Sequence, residues 1–457
     1  MDVVNPATGS VVESVPETAP GQLPALLKAA KLAQRSWAVQ TPAARKAILA
    51  RFRQLVSEQK EELAQTLTRE VGKPLAQSRN ELNGLLPRID FFLEHFEAEL
   101  QPRTVLGTSS EALEERIVFE PLGVVANVSA WNYPYFVGSN VFVPALLTGN
   151  AVLYKPSELC SLTGLSIARL LHQAGVPKDV FQALIGGREL GAALVGSAVD
   201  GVFFTGSYAT GRKIAEVVAP RMLRLQLELG GKDPAYVADD VDVATVAAAV
   251  ADGAFYNTGQ SCCAVERVYV HERIYPAFVD AFVAEVKKFQ VGEPTEDGTY
   301  IGPLCRGEFA LRELAEQVAD AEAQGGRVLT GGKRAARPGS YFEPTVIADA
   351  KPSMRVMKDE SFGPVIGIAS VRNDEAALAA MADTEYGLTA AVYTKDEARA
   401  AKLLADLPVG SAYVNCCDRV SPRLPWTGRK HSGIGSTLST LGIQAFLQPK
   451  AWHIRRG

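Results

Sequence analysis

A thiol that a substrate can reach is the most reactive group this chain offers. Cys262 stands in Asn257-Thr258-Gly259-Gln260-Ser261-Cys262-Cys263, where an alanine-rich helical pattern over 243–255 gives way to an apolar strand pattern over 267–270. A cysteine at an element end, with a glycine that lets another backbone come close, can be exposed to a substrate; one in the middle of a core strand cannot. On the thiol alone, a buried structural cysteine is the simpler reading, because cysteine is among the most buried residue types. Other reactive groups collect at what read as strand ends. These are Trp131-Asn132-Tyr133-Pro134, Lys155-Pro156-Ser157-Glu158, Phe204-Thr205-Gly206-Ser207 running on to Gly211, and Glu228-Leu229-Gly230-Gly231-Lys232. Further along come Glu360-Ser361-Phe362-Gly363-Pro364 and Pro425-Trp426-Thr427-Gly428.

Alternating strand and helix patterns must position these groups. Strands are predicted at 123–128, 151–154, 180–185, 201–204 and 223–227, with helices at 162–174 and 209–218. Such alternation argues a parallel sheet covered by helices. In open parallel sheets, ligands bind beyond the carboxyl ends of the strands. A second alternating region runs from Pro234 to about Gly433, with helices at 275–289, 308–324 and 374–381 and strands at 390–393 and 411–414. Helical patterns at 23–37, 42–68 and 74–95 precede both. The stretch 103–121 reads as an extended, charged excursion, whose Glu111, Glu114, Glu115 and Arg116 suit a solvated or interface edge. The tail at 448–454 reads as a final strand in need of a partner.

Composition limits the alternatives. A chain of 457 residues is long enough for two or three domains. Its 47% hydrophobic and 21% charged content is that of an ordinary soluble protein, and a net charge of -4 gives no sign of a nucleic-acid surface or a polybasic membrane patch. No apolar run reaches membrane-spanning length, and Met1-Asp2-Val3-Val4-Asn5-Pro6 has no secretory pattern, so no membrane partner is expected. The cysteines fall as two adjacent pairs, Cys262-Cys263 and Cys416-Cys417, and two singletons, Cys160 and Cys305. That is neither a disulfide framework nor a zinc pattern, and the five histidines lack ligand spacing. A reducing cytoplasm is the expected setting and no metal is expected.

Taken together and in this order, the pieces resemble the aldehyde dehydrogenase superfamily, from the Asn5-Pro6 opening to the Ser432-Gly433 turn. Each motif alone is weak; the glutamate-leucine-glycine-glycine-lysine piece followed by the glycine-glutamine-x-cysteine piece is strong. The resemblance implies an α/β fold: a doubly wound parallel-sheet cofactor domain (1–102 and 122–230), an α/β catalytic domain (231–433) and a small β oligomerisation flap (103–121 and 440–457). It implies oxidation of an aldehyde to a carboxylic acid, with NAD as cofactor and NADP as the alternative, in a homodimer or homotetramer.

The family's roles then fall on particular residues. Cys262, and not Cys263, takes the nucleophile's position. Asn132 takes that of the side-chain donor to the developing oxyanion, with the backbone N–H of Cys262; without the family it is a turn asparagine. Glu228 takes that of the base for water; without the family it is an ordinary strand-end acid. Gly206, Ser207 and Gly211 match a cofactor-binding helix entrance, where Ser207 is either a phosphate contact or an N-cap. Lys155 and Glu158 match the adenosine ribose positions, and Glu360 and Phe362 those of the nicotinamide ribose and ring. Trp131 and Trp426 would flank the aldehyde tunnel, although tryptophans are as easily core residues.

Two departures lie beside the substrate. The family's phenylalanine-glycine-glycine is Trp426-Thr427-Gly428, and the proline before Trp131 is Ala130. With Trp131, Tyr135 and Trp426 as walls, a medium-chain or aromatic aldehyde is expected. The alternative is a semialdehyde, such as that of succinate, with Arg419 gripping the far carboxylate and Asn140 adding a polar group; Arg419 reads equally as a surface residue paired with Asp418. A coenzyme A-acylating relative and an inactive structural homologue are the remaining alternatives. Retention of Glu228 speaks against the first, and of Cys262, Asn132 and Glu228 together against the second.

Overall fold

The computed structural model describes residues 1–107 and 112–455, so Glu111 lies outside the described residues. Four helices dominate the opening: α1 (Leu23–Ala38), α2 (Pro42–Glu58), α3 (Lys60–Val71) and α4 (Leu75–Glu99). The single helix expected over 42–68 is two. Gln59, at φ -105° and ψ 15°, leaves helical geometry between α2 and α3 without a glycine or proline to mark the break. Gly72, at φ 78°, ends α3 in the left-handed conformation that glycine accepts readily.

The first sheet has six strands in the order Gly433–Ile434, Arg224–Glu228, Gly201–Thr205, Val124–Val128, Ala151–Lys155 and Phe181–Ala183. Only the edge strand 433–434 runs antiparallel. From Val124–Val128 the chain winds first to one side, through 151–155 and 181–183, then to the other, through 201–205 and 224–228. That reversal is a topological switch point, and the crevice beyond the strand ends there is where ligands bind in such sheets. The connecting helices are α5 (Pro134–Leu147), α6 (Ser161–Ala174), α7 (Arg188–Gly196) and α8 (Tyr208–Val218). Trp37 anchors α1 against the end of α5 by donating to the Leu146 carbonyl at 2.9 Å.

The second sheet has seven strands in the order Arg327–Thr330, Thr345–Ala348, Val365–Val371, Val265–His271, Asp233–Val237, Thr389–Tyr393 and Ser411–Val414. Separate cores cover its two faces. Helix α9 (Val243–Phe255) packs in one of them and delivers the chain to the thiol. A third sheet joins Leu447–Arg455 to Leu113–Pro121 and Arg103–Leu106, all antiparallel, with Val105 and Trp452 exposed. Before entering it, the chain forms a short helix, Ser439–Gln444, against α4. No helix among the described residues is long and apolar enough to cross a membrane.

Candidate active site

Three consecutive left-handed residues lead to the thiol: Asn257 (φ 54°), Thr258 (φ 60°) and Gly259 (φ 69°). Such a conformation costs a non-glycine residue about 1–2 kcal/mol and persists only where surroundings dictate it. Here they do. The Asn257 N–H donates to Gln77 Oε1 at 2.9 Å, and its side-chain amide donates to the carbonyls of Gln260 at 3.0 Å and Asn132 at 3.2 Å. Thr258 accepts from the Gly302 N–H at 3.0 Å, and Gln260 Oε1 accepts from the Cys305 N–H at 2.9 Å. Any side chain at Gly259 would collide with the Gly363 carbonyl. The loop leaves Cys262 partly accessible and buries Cys263. Cys263 donates to Asp418 Oδ1 at 3.0 Å, and its thiol is held well above the usual range by the Cys262 thiol beside it and by burial.

Asn132 is buried, and its amide donates to the Gln260 carbonyl at 3.2 Å, which sets it against the thiol loop. Its own carbonyl accepts from Lys73 Nζ at 2.7 Å. Lys73 is in turn ion-paired with Glu81, both wholly buried, and Glu81 Oε1 accepts the Tyr135 N–H at 2.9 Å. A buried pair adds little net stability, yet removing one partner strands a charge, so the arrangement enforces geometry.

Glu228 closes its strand with a buried carboxyl that accepts from Gln226 Nε2 at 3.0 Å and from the Thr437 hydroxyl. Burial pushes it up to about 7, opposed by those two hydrogen bonds and by the charge of Arg88. Thr437 is fixed by paired backbone bonds with Trp426, at 2.7 and 2.9 Å. Gly230 and Gly231 follow Glu228. A side chain at Gly230 would collide with the Glu360 carboxyl, and one at Gly231 would come 2.7 Å from the Cys262 carbonyl.

Lys155, Glu158, Ser207 and Gly211 follow the carboxyl ends of strands 151–155 and 201–205, on the two sides of the switch point, while Glu360 and Phe362 precede strand 365–371 of the second sheet. Lys155 Nζ donates to the Pro156 carbonyl at 3.0 Å and lies 3.4 Å from Glu158, whose side chain is 48% exposed. A Cβ at Gly187 would meet nothing within 4 Å, and one at Gly191 would lie 3.5 Å from the Lys155 stem. One open glycine, a cation, an acid and the positive end of α8 fit a diphosphate and a ribose, whereas a side chain at Gly206 would collide with Phe204, so Gly206 is a packing position. Ser207 is the N-cap of α8, accepting the Thr210 N–H at 3.4 Å. Gly211 lets α8 pack on Leu229, where a side chain would collide, so its structural part is helix packing. Glu360 accepts the Gly231 N–H at 3.1 Å and is pushed up to about 8 by burial and by the charge of Glu266. Phe362 meets Trp131 edge-on, with ring centres 5.6 Å apart.

The aldehyde dehydrogenase family model matches residues 1–452. A succinate-semialdehyde dehydrogenase [NADP(+)] of Deinococcus radiodurans is 35% identical, covering 98% of this chain and 93% of its own length. A peroxisomal aminoaldehyde dehydrogenase 2 of Malus domestica is 33% identical, covering 98% and 91%. The crystal structure of betaine aldehyde dehydrogenase from Staphylococcus aureus in complex with NAD+ superposes with a TM-score of 0.96 at 30% identity, covering 100% of this chain and 92% of that one. The chain belongs to the aldehyde dehydrogenase family. As a family member it is an oxidoreductase, and its remaining features concern what the thiol loop faces.

That face differs from expectation. Tyr135 is 1% exposed; its hydroxyl reaches the Leu63 carbonyl at 3.5 Å, so it is a core residue and not a wall. Trp426 is buried and acts through its backbone on Thr437. Arg419 is exposed and forms no ion pair among the described residues, and Asp418 turns inward to Ser261 and Cys263 instead of pairing with it. Asn140 is buried, with Oδ1 taken by Arg88 Nη1 at 3.2 Å. Where α5 begins, the partly accessible residues are its N-cap Tyr133, Phe136 and Val137, with the buried Asn140 following at helical spacing. Tyr133 and Phe136 stack with ring centres 5.7 Å apart at 5°. Sequence reading passed over Arg88 and Phe136, gave Tyr133 no role of its own, and set Asp418 at the surface beside Arg419. The i, i+3, i+4, i+7 pattern from Tyr133 to Asn140 was the available signal for the aromatic pair.

Proposed function

We propose that the chain oxidises an aldehyde to a carboxylate through a thiohemiacetal and a thioester on Cys262. The Cys262 thiolate adds to the aldehyde carbon, forming a C–S bond while the carbonyl electron pair moves to oxygen. Asn132, through its side-chain amide, and the Cys262 N–H hold that oxygen. The C–H bond of the adduct then breaks as the oxyanion pair re-forms C=O, leaving the thioester; NAD or NADP, when bound, would supply the acceptor for that hydride. Glu228 takes a proton from water, which adds to the thioester carbon; the C–S bond then breaks and the thiolate is restored. A carboxyl raised to about 7 suits this work, because its proton affinity is close to working pH.

The observation that carries this reading is the set of hydrogen bonds tying Asn132 to the thiol loop while Cys262 stays accessible. Residues of the first sheet would carry the cofactor, those of the second the thiol, and the three-stranded flap would seat a second copy of the chain in a homodimer or homotetramer. Its strand 447–455 is exposed over nearly its whole length, a surface that proteins cover to avoid uncontrolled edge pairing. Glu158, accepting from a ribose 2′-hydroxyl, would favour NAD over NADP.

The test is NADH release from hexanal and NAD, followed by mass spectrometry of the intact protein. An acyl adduct that maps to Cys262 is the expected result, and turnover with no adduct at Cys262 in any Glu228 variant overturns the scheme.

A further inference from the structure

We infer that Arg88 selects aldehydes that carry a second, distal carboxylate, a reading that rests on the proposed reaction at Cys262. Gln77, Glu81, Gly84 and Arg88 follow one another along one stripe of α4 at spacings of four, three and four. Gln77 holds the Asn257 N–H, and Glu81 holds Lys73, the residue that bonds the Asn132 carbonyl. Arg88 lies two turns further along, about 10 Å on the helix axis. At Gly84 the helices come close, since a Cβ would lie 2.8 Å from the Phe136 ring. The stripe thus leads along α4 from the groups that hold the thiol loop and Asn132 to a single cation.

That cation is held differently from every other buried one among the described residues. Lys73 pairs with Glu81, Lys232 with Glu266, and Lys155 bonds a carbonyl and Glu158. Arg45 and Arg267 donate to three and to four backbone carbonyls. Arg88, only 5% exposed, has no carboxylate within ion-pair distance and one hydrogen bond, to the neutral Asn140. Its guanidinium lies 3.9 Å from the centre of the Phe136 ring, a partial compensation for lost water. Among the described residues, Nε and Nη2 donate to no acceptor. A buried charge without a counter-ion is costly. The free Nε–Nη2 edge has the fork geometry that grips a carboxylate with two parallel bonds.

The groups whose charge Arg88 feels, after burial itself, include Glu81, which holds Lys73, and Glu228. A rival role follows from this: Arg88 could act only by biasing Glu228. The two roles separate by substrate. A distal-anion reader affects one class of aldehyde, whereas a partner of Glu228 affects all of them.

The experiment compares kcat/KM for succinic semialdehyde and hexanal in the full-length protein and in Arg88→Gln and Arg88→Lys. The native protein should favour the semialdehyde. Arg88→Gln should lower its kcat/KM by about 10²–10³-fold, the scale for removing one partner of a buried charge pair, and change hexanal by less than about threefold. Arg88→Lys should recover part of the loss, since the charge returns without the fork. Equal losses for both aldehydes with a displaced pH profile overturn the proposal in favour of the Glu228 role, and no change for either overturns it outright. A second readout does not need turnover. Calorimetry of succinate with Cys262→Ala should give binding that Arg88→Gln in the same background abolishes. If no aldehyde is oxidised but succinate binding depends on Arg88, the reaction scheme fails and the anion site stands. If hexanal is oxidised through Cys262 and succinate binding ignores Arg88, the reverse holds.

Discussion

The loop that carries Cys262 and the segment Asn415–Trp426 touch through Asp418, and they differ in how far they are buried. Both use left-handed residues, Asn257 and Thr258 in one, Asn415 and Asp418 in the other. In the thiol loop every such residue is buried and bonded to α4, to Asn132 or to the 302–305 turn. In the outer segment Asn415, Arg419 and Leu424 are exposed; Asn415 is tied to Thr394 by two side-chain bonds, and Asp418 anchors inward to Ser261 and Cys263. The difference follows from what each must do. A nucleophile misplaced by 1 Å loses much of its rate, so its backbone is over-determined. A surface that only meets a departing or arriving chain can tolerate motion and change.

The comparison breaks most sharply at the thiol itself. Cys262→Ala should abolish NADH formation while leaving NAD binding intact by fluorescence titration, and Cys263→Ala should keep most activity. A Cys262→Ala protein that still turns over would end the distinction between the two cysteines.

The next effect is at Glu228. Glu228→Gln should slow turnover about 10²–10⁴-fold, the usual worth of a general base, and let acyl-enzyme accumulate. Because burial raises this carboxyl to about 7, the native rate should fall as pH drops through about 7, and the variant should lack that limb. Stability should move the other way. The unfolded chain sheds this proton near 4.5 and the folded one near 7, so the native state loses stability as pH rises through that window. Thermal melts at pH 8 should therefore show Glu228→Gln as the more stable protein, by on the order of 1–3 kcal/mol. Equal melting at pH 8 would mean the carboxyl is better solvated than its burial suggests.

A smaller effect belongs to the cofactor crevice. Glu158→Gln should raise kcat/KM with NADP relative to NAD by about 10-fold, since it removes a carboxylate that repels the 2′-phosphate, worth about 1.4 kcal/mol for one partly screened charge. An unchanged ratio would show that Glu158 faces water and not the ribose.

How much of this was legible in the chain follows the same division. Asn132, Glu228 and Cys262 stand at strand or turn ends, where glycine and polar residues interrupt apolar runs, and interruptions are what a sequence displays. The strands 233–237, 345–348 and 365–371 went unread although 151–155 and 389–393, equally buried, were read: burial on both faces removes alternation, so such strands show only through the residues that flank them. Tyr135 was drawn into the wall by its nearness to Asn132, although helix geometry turns it away from Tyr133 and Phe136. Arg88 had no motif around it. Its meaning comes from what it lacks in three dimensions, a counter-ion, and no spacing along a chain encodes a missing partner.

Arg419 marks the small end of the scale. Its position between Asn415 and Pro425 made it the natural arginine for a distal carboxylate, and its side chain is exposed with no ion pair among the described residues to organise it. An exposed, unpaired arginine meets its ligand in water, where a charge pair contributes about 0.2–1 kcal/mol and is screened by salt. Arg419→Ala should therefore change kcat/KM for succinic semialdehyde by less than about fivefold, and the change should vanish in 0.5 M salt. Its backbone carbonyl still accepts the Tyr413 hydroxyl at 2.5 Å, so the segment should keep its shape. A loss of 100-fold that persists at high salt would mean that the segment closes over the substrate and carries this arginine inward. The outer wall would then be as fixed in the working enzyme as the thiol loop, and the contrast between the two would belong only to the free protein.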